Sequence, residues 1–488
     1  MIPRCLEYST ACSLGLLRIT RKQENVHRRE VKDSCARQEW LDSRTVATAV
    51  DFVAEALILK DLESTEAKEA AKFILSKTPS SSLLVRQLAN HFMERLPSDW
   101  IESSEILQID ASYEYIARLK KSVRMYAMNP IAWSDLSLYY ATLGQNDKAK
   151  MAMNVALNLG KNNRFILRSA SRCFMHMKEP DRAVAILNRS GLCAFNPWIA
   201  SAEIAISDST GLKSKCISKA RDLIQDDNMT QFSRSELAVS IGTIEIKSGS
   251  VRRAKKLMRQ ALEDPSENAL AQAHWMTTQL GTEIGNITDI GRLEDEVPGS
   301  YEAQAMRLYN EVDFRKSLKA SELWGRFQQL SSRPIIHASH IAATFLEDDT
   351  KAISILSGSM PAQQGDFLYN NNYAYSLIRS GQVEAGIKQL ENIKIKSLSD
   401  SEKYVLLATT GFVCFRTGEP DKGRELYRRS IESFIQIDET YNAALAAYFL
   451  AREEKRIGSE FAKLRINEAK NRLEKLKYPP YDVLAKKL

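Results

Sequence analysis

The stretch NPIAWSDLSLYYATLGQNDKAKMAMNVALNLGKN, residues 129–162, writes two short helices and the turn between them. Trp133, Leu136 and Tyr140 recur at steps of three and four, which places one bulky stripe on a first helix. Ala149, Met153 and Ala156 do the same on a second. Gly144 supplies a permissive turn, and Pro130 sits just ahead of the first helix, where its missing N–H costs little. A hairpin this small cannot bury its own stripe, so the pattern must recur along the chain.

It does recur. The pair Gly144 and Ala149 returns as Gly249 and Ala254, with Ile241-Gly242 upstream and Met258, Ala261 and Pro265 downstream. Ala183 follows Ala149 by 34 residues (183 − 149), and the pairs Gly381/Gly386 and Gly418/Gly423 repeat the glycine-to-small-residue spacing near the C-terminus. On these residues the chain resembles the tetratricopeptide repeat (TPR) family. The best copy keeps Trp133, Leu136, Tyr140 and Ala149; it departs with Ser137 for the glycine and Met153 for the aromatic, while Gly242 and Gly411 restore the glycine elsewhere. Weaker hairpins at 198–225, 268–280, 301–330 and 335–359 extend the resemblance over 111–477. It implies an all-α, right-handed helical-hairpin solenoid. The last two glycine pairs are 37 apart (418 − 381), so the array is irregular.

Composition agrees with an all-helical chain. Glycine numbers 20 in 488 residues, about 4% against an average of about 7%, which disfavours strand-rich and nucleotide-loop architectures. Residues 1–44 read as a basic, flexible or loosely helical arm, 45–110 as a helical cap and 478–488 as a C-terminal tail beyond the solenoid. A DNA-reading alternative for the cap would place Arg86, Gln87 and Asn90 on a recognition helix, but no convincing motif precedes them. Seven scattered cysteines (Cys5, Cys12, Cys35, Cys173, Cys193, Cys216, Cys414) suggest structural thiols in a reducing compartment, hence a cytoplasmic location. No apolar run reaches the roughly 18 residues a membrane span needs, and the N-terminus lacks the order of a signal peptide.

Catalytic and metal signatures are missing. Cys173 and His176 form a C-x-x-H pair without a matching second pair, and His337 and His340 lack a zinc-protease partner, so they read as surface or packing histidines. The segment GEPDKGRE at 418–425 puts Arg424 and Glu425 where a phosphate loop needs Lys and Ser/Thr. The acidic runs at 293–296 and 346–349 lack calcium-loop alternation. A non-enzymatic protein without cofactor or metal is expected.

What is left is surface. The resemblance implies that the first helix of each hairpin lines a concave groove. On that face lie Arg168, Arg172 and His176, then Asn371, Tyr375 and Arg379, then Phe412 and Arg416. Amides bond main chain and arginine forks onto carboxylates, so these residues point to a peptide segment or helix of a partner protein, in a scaffold or a sensor of short peptides. The lysine-and-asparagine clamp for acidic chaperone tails is not carried over, because Ser134 and Leu138 occupy its first sites. The alternative partner is nucleic acid, on the basic face Arg252, Arg253, Lys255, Lys256 and Arg259 of a chain with net charge +7. Ala462, Ile466, Ala469, Leu473 and Leu476 form a short heptad seam, which would cover the last repeat or pair two copies, before Pro479-Pro480 stops the helix.

Overall fold

The computed structural model describes residues 6–8, 11, 18, 35–59, 64–77, 83–93, 109–226, 229–280 and 290–488. Among them every regular element is helical. The chain divides into two compact units, one of residues 1–140 with 146–300 and one of 141–145 with 301–488.

In the first unit, α1 (Cys35–Asp42), α2 (Val46–Leu59), α3 (Thr65–Ser76) and α4 (Leu83–Phe92) share a core of their own around Trp40, Phe52, Ile74 and Phe92. Ser64 caps α3 by accepting from the Ala67 N–H at 3.2 Å, as a serine one residue ahead of a helix should. The side chains of Arg86 and Gln87 lie outside the described residues. The repeats follow as α5 (Ile109–Met125), α6 (Pro130–Thr142), α7 (Asn146–Leu159), α8 (Arg164–His176), α9 (Pro180–Arg189), α10 (Pro197–Thr210), α11 (Ile217–Gln225), α12 (Gln231–Lys247), α13 (Val251–Leu262), α14 (Glu267–Leu280) and α15 (Ile290–Glu296). The second unit holds α16 (Tyr301–Asn310), α17 (Phe314–Phe327), α18 (Arg333–His340), α19 (Asp349–Ser357), α20 (Phe367–Arg379), α21 (Val383–Glu391), α22 (Asp400–Arg416), α23 (Pro420–Gln436), α24 (Thr440–Arg456), α25 (Ala462–Lys475) and α26 (Pro479–Lys487).

The hairpins expected from the repeat pattern are present. Gly144 (φ 71°), Gly249 (φ 79°), Gly381 (φ 94°) and Gly418 (φ 89°) make their turns in the left-handed region that glycine alone enters freely. The small residues five positions later sit where two helices cross: Ala149 and Ala254 are fully buried, and a Cβ on Gly423 would stand 2.8 Å from the Gly411 carbonyl oxygen. Ser137, which replaces the expected glycine, donates through its hydroxyl to the Ala149 carbonyl at 2.7 Å and thereby ties α6 to α7. Ser317 bonds the Ala305 carbonyl across α16 and α17 in the same way, also at 2.7 Å. Ala149→Leu forces three heavy atoms into that crossing and is expected to cost about 1–3 kcal/mol. Thermal unfolding reads the effect, and a neutral result would mean that the two helices do not meet there.

Three expectations are corrected. Trp133 is only half-buried and donates its indole N–H to the Ala127 carbonyl at 2.8 Å, so it braces the approach to α6 rather than filling a core. Cys193 and Cys216 are joined in a disulfide, Cα–Cα 5.8 Å, where free thiols were expected. Cys173 and Cys414 are buried thiols, and burial pushes that of Cys173 up to about 11. Of the two roles open to the heptad seam, covering the last repeat is the one seen, since Ala469 and Leu473 are fully buried in clusters with Ala447, Ala451 and Tyr448 of α24. The C-terminal tail is a helix, α26, whose Tyr481 and Leu484 pack with Tyr309 and Phe314. Pro479 stops α25 but starts α26, because proline is tolerated in a first turn. No helix among the described residues is long and apolar enough to cross a membrane.

Candidate functional site

In the second unit the first helices of successive hairpins, α18, α20, α22 and α24, lie side by side as one layer. Along that layer runs a cavity of 490 Å³. Each helix contributes residues at helical spacing: Ile336, His337 and His340; Leu368, Asn371, Asn372 and Tyr375; Val405, Ala408, Thr409 and Phe412; Asn442, Leu445 and Phe449. One wide π-helical turn, Ile341–Phe345, prolongs α18 and brings Ala343 and Thr344 to the same wall.

The floor is aromatic. Tyr375 packs on Phe412 with ring centres 5.0 Å apart and on Phe449 at 5.1 Å. The walls carry amides and hydroxyls: Thr409 donates to the Asn371 side-chain carbonyl at 2.7 Å, and Asn372 lies within 3.5 Å of the Ile336 carbonyl. Arg333 and Asp366 are the basic and acidic residues in the lining, and both are engaged. Arg333 pairs with Glu302 at 2.8 Å, while Asp366 caps α20 at the Leu368 N–H (2.8 Å) and accepts from Ser332 (2.9 Å).

Two histidines complete the lining. The imidazole Nδ1 of His337 lies 2.9 Å from the Ser321 hydroxyl, and that of His340 lies 3.3 Å from Thr344. Part of each ring surface faces the cavity, yet protein encloses both, and desolvation pulls His337 down to about 3 and His340 to about 4. Both are therefore neutral at pH 7. Three enclosed polar atoms around this cavity, His337 Nε2, Ser376 Oγ and Trp324 Nε1, have no hydrogen-bond partner among the described residues. Buried polar groups are normally paired, so these three atoms are unmet hydrogen-bonding capacity beneath the cavity wall.

The sequence-predicted residues fall in two places. Asn371, Tyr375 and Phe412 line the cavity. Arg379 and Arg416 do not: expected to present free forks to an acidic partner, they are committed within the unit. Arg379 Nε donates to both oxygens of Asp349 at 2.6 and 2.8 Å, and Arg416 forms a two-pronged pair with Glu453 at 2.8 and 2.9 Å. Their guanidinium carbons sit 5.6 Å from the Tyr375 ring centre and 4.9 Å from that of Phe412, so both arginines stand behind the aromatic floor as posts. Arg168, Arg172 and His176 belong to the first unit, on α8. Arg168 donates to the Trp198 carbonyl and pairs with Glu236, both at 2.8 Å, while Arg172 and His176 are half-buried.

Sequence reasoning passed over His337, His340, Ala408, Asn442 and Phe449. The signal was available for three of them: Ala408 lies four residues before Phe412, and Asn442 and Phe449 repeat the same face one hairpin later. The histidines gave none, since their neutrality depends on neighbours distant in sequence. The basic face is solvated: Arg252, Arg253, Lys256 and Arg259 are exposed on α13, Lys255 is half-buried, and Arg253 lies 4.0 Å from Glu245.

No family model and no curated protein matches this sequence. Solved structures similar to the chain include the APC/C hetero-tetramer Cut9-Hcn1, at TM-score 0.39 and 11% identity over 96% of this chain and 98% of that one. Another is the human IFIT1 dimer with m7Gppp-AAAA, at TM-score 0.36 and 12% identity over 88% of this chain and 95% of that one. Likeness at this level adds nothing to what the helical hairpins themselves display.

Proposed function

We propose that this chain is a non-enzymatic adaptor or peptide sensor whose second unit binds a peptide segment or helix of another protein on the α18–α20–α22–α24 layer. The observation that carries the reading is the cavity itself, 490 Å³ lined from four successive hairpins. Its aromatic floor suits one bulky apolar side chain. The amides of Asn371, Asn372 and Asn442 suit main-chain carbonyls and N–H groups. Arg379 and Arg416 serve the site indirectly, by holding the rings of Tyr375 and Phe412.

Selection of random peptides on the purified chain tests this reading. Peptides with a central aromatic or large aliphatic residue are expected. Ala408→Trp, which fills the half-buried middle of the cavity, is expected to weaken their binding at least about a hundredfold, and Leu368→Glu on the exposed rim about tenfold. Circular dichroism should show unchanged helix content. Peptides that bind equally well to Ala408→Trp would remove the assignment.

A further inference from the structure

Among the described residues α26 contributes no side chain to the lining of the second unit's cavity, yet it packs against elements that do. It is fixed at both ends. Just ahead of it the Tyr478 hydroxyl donates to the side-chain carbonyl of Asn310, the last residue of α16, at 2.8 Å. At its other end Lys487 Nζ donates to the Phe345 carbonyl at 2.7 Å and pairs with Glu347 at 3.2 Å. Between these ends Tyr481 and Leu484 lie in one buried cluster with Tyr309, Phe314 and Phe345.

The bonds from Lys487 fall on an unusual piece of backbone. Over Ile341–Phe345 the helix widens, so that the Leu346 N–H reaches back five residues to the Ile341 carbonyl at 3.0 Å. Such turns are rare and recur at functional sites. Two residues on, Glu347 takes φ 57°, a left-handed value that strains a non-glycine residue and persists only where the surroundings dictate it. The Phe345 carbonyl sits in the last turn of this helix, where the ladder supplies no N–H and a cation is a favoured partner. Lys487 provides that cation from 142 residues away.

What the wide turn presents is cavity wall. Ala343 and Thr344 line the cavity, and Thr344 Oγ1 lies 3.3 Å from His340 Nδ1. Phe345 itself is clamped, stacked on Phe314 with ring centres 4.2 Å apart and edge-on to Tyr309 at 5.3 Å. With that ring held, tightening the turn from an i−5 to an i−4 bond would re-phase the two wall residues about the helix axis. Aromatic packing thus fixes where the turn ends, and the bonds from Lys487 fix how wide it is.

We propose that Lys487 is a positioning residue of the candidate site: it touches no ligand, and by holding the Phe345 carbonyl and Glu347 it keeps the Ile341–Phe345 turn wide. It thereby sets which side chains the wall offers to an occupant. The proposal rests on the reading of this cavity as a peptide site. An occupant that uses the wall binds more weakly once the turn is released and, by the same coupling, strengthens the seat of α26 when it is bound.

Hydrogen exchange and peptide binding, both on the full chain, test it together. In Lys487→Met the amides of residues 341–348 are expected to exchange at least about tenfold faster, while those of α22 keep the rate of the unaltered chain. Lys487→Arg, which keeps a cationic donor at that reach, should restore slow exchange. The binding probe is the pool of random peptides selected on the unaltered chain; its affinity is expected to fall about tenfold for Lys487→Met and to recover for Lys487→Arg. Lys487→Ala takes the place of Lys487→Met should that variant fold poorly. Unchanged exchange over 341–348 overturns the proposal, as does acceleration shared equally by α22, or local acceleration with unchanged peptide affinity. If the selected peptides are indifferent to Ala408→Trp, the peptide reading fails, and the exchange rates alone decide whether Lys487 holds the turn.

Discussion

Arg424→Met is expected to lower the unfolding free energy of the second unit by about 3–5 kcal/mol. Arg424 sends Nε to one oxygen of Glu454 at 2.6 Å and a terminal nitrogen to the other at 3.1 Å, while a third bond at 2.5 Å reaches Asp421. The Glu454 side chain is fully buried, and among the described residues its remaining partner is the Ser459 hydroxyl. Without the arginine an uncompensated carboxylate stays inside α24, which is why breaking such a pair costs far more than forming it gains. Denaturant titration with a probe in the second unit measures the loss. Arg424→Met combined with Glu454→Leu should recover most of it, because no charge is then left buried. A single variant that loses less than about 1 kcal/mol would show that water reaches Glu454 and that the pair behaves as a surface bridge.

The second large effect is acid sensitivity at the candidate site. His337 and His340 are held at about 3 and about 4, below the ordinary 6.5, so in the unfolded chain they take protons first as pH falls. Stability is complete above pH 6.5 and is lost as pH descends toward about 4 for His340 and about 3 for His337. Each histidine contributes at most about 1.4 kcal/mol per pH unit in that window, so between pH 6.5 and 5 the two together remove up to about 4 kcal/mol. His340→Leu, which cannot titrate, should halve the slope of unfolding free energy against pH. An unchanged slope would mean that the His340 imidazole takes its proton as readily in the folded chain as in the unfolded one, and would place water in contact with that ring.

Much of the architecture was legible because it rests on local rules. Gly418 must turn and Gly423 must let two backbones approach, and both needs appear as a five-residue spacing whatever the rest of the chain does. Asn371, Tyr375 and Phe412 were legible for the same reason, since helical spacing assigns residues to a face. The fate of the arginines was not. Arg379 finds Asp349 at a sequence separation of 30, Arg416 finds Glu453 at 37 and Arg424 finds Glu454 at 30. These separations are about one hairpin, so each pair ties neighbouring repeats, but hairpins of unequal length hide which acid stands opposite which base.

Taken alone, the sequence determined what depends on neighbours within a turn or two of helix: all-helical hairpins, their glycine turns, the close crossings, and the face each first helix presents. Tertiary structure decided what depends on groups far apart in the chain. Burial made His337 and His340 neutral, Asp349 and Glu453 claimed the arginines expected to be free, and Tyr8 and Arg18 met partners 127 and 247 residues away at Asp135 and Pro265. Spacing is a property of the chain, whereas desolvation and charge pairing belong to the packed molecule, where distance in space replaces distance in sequence.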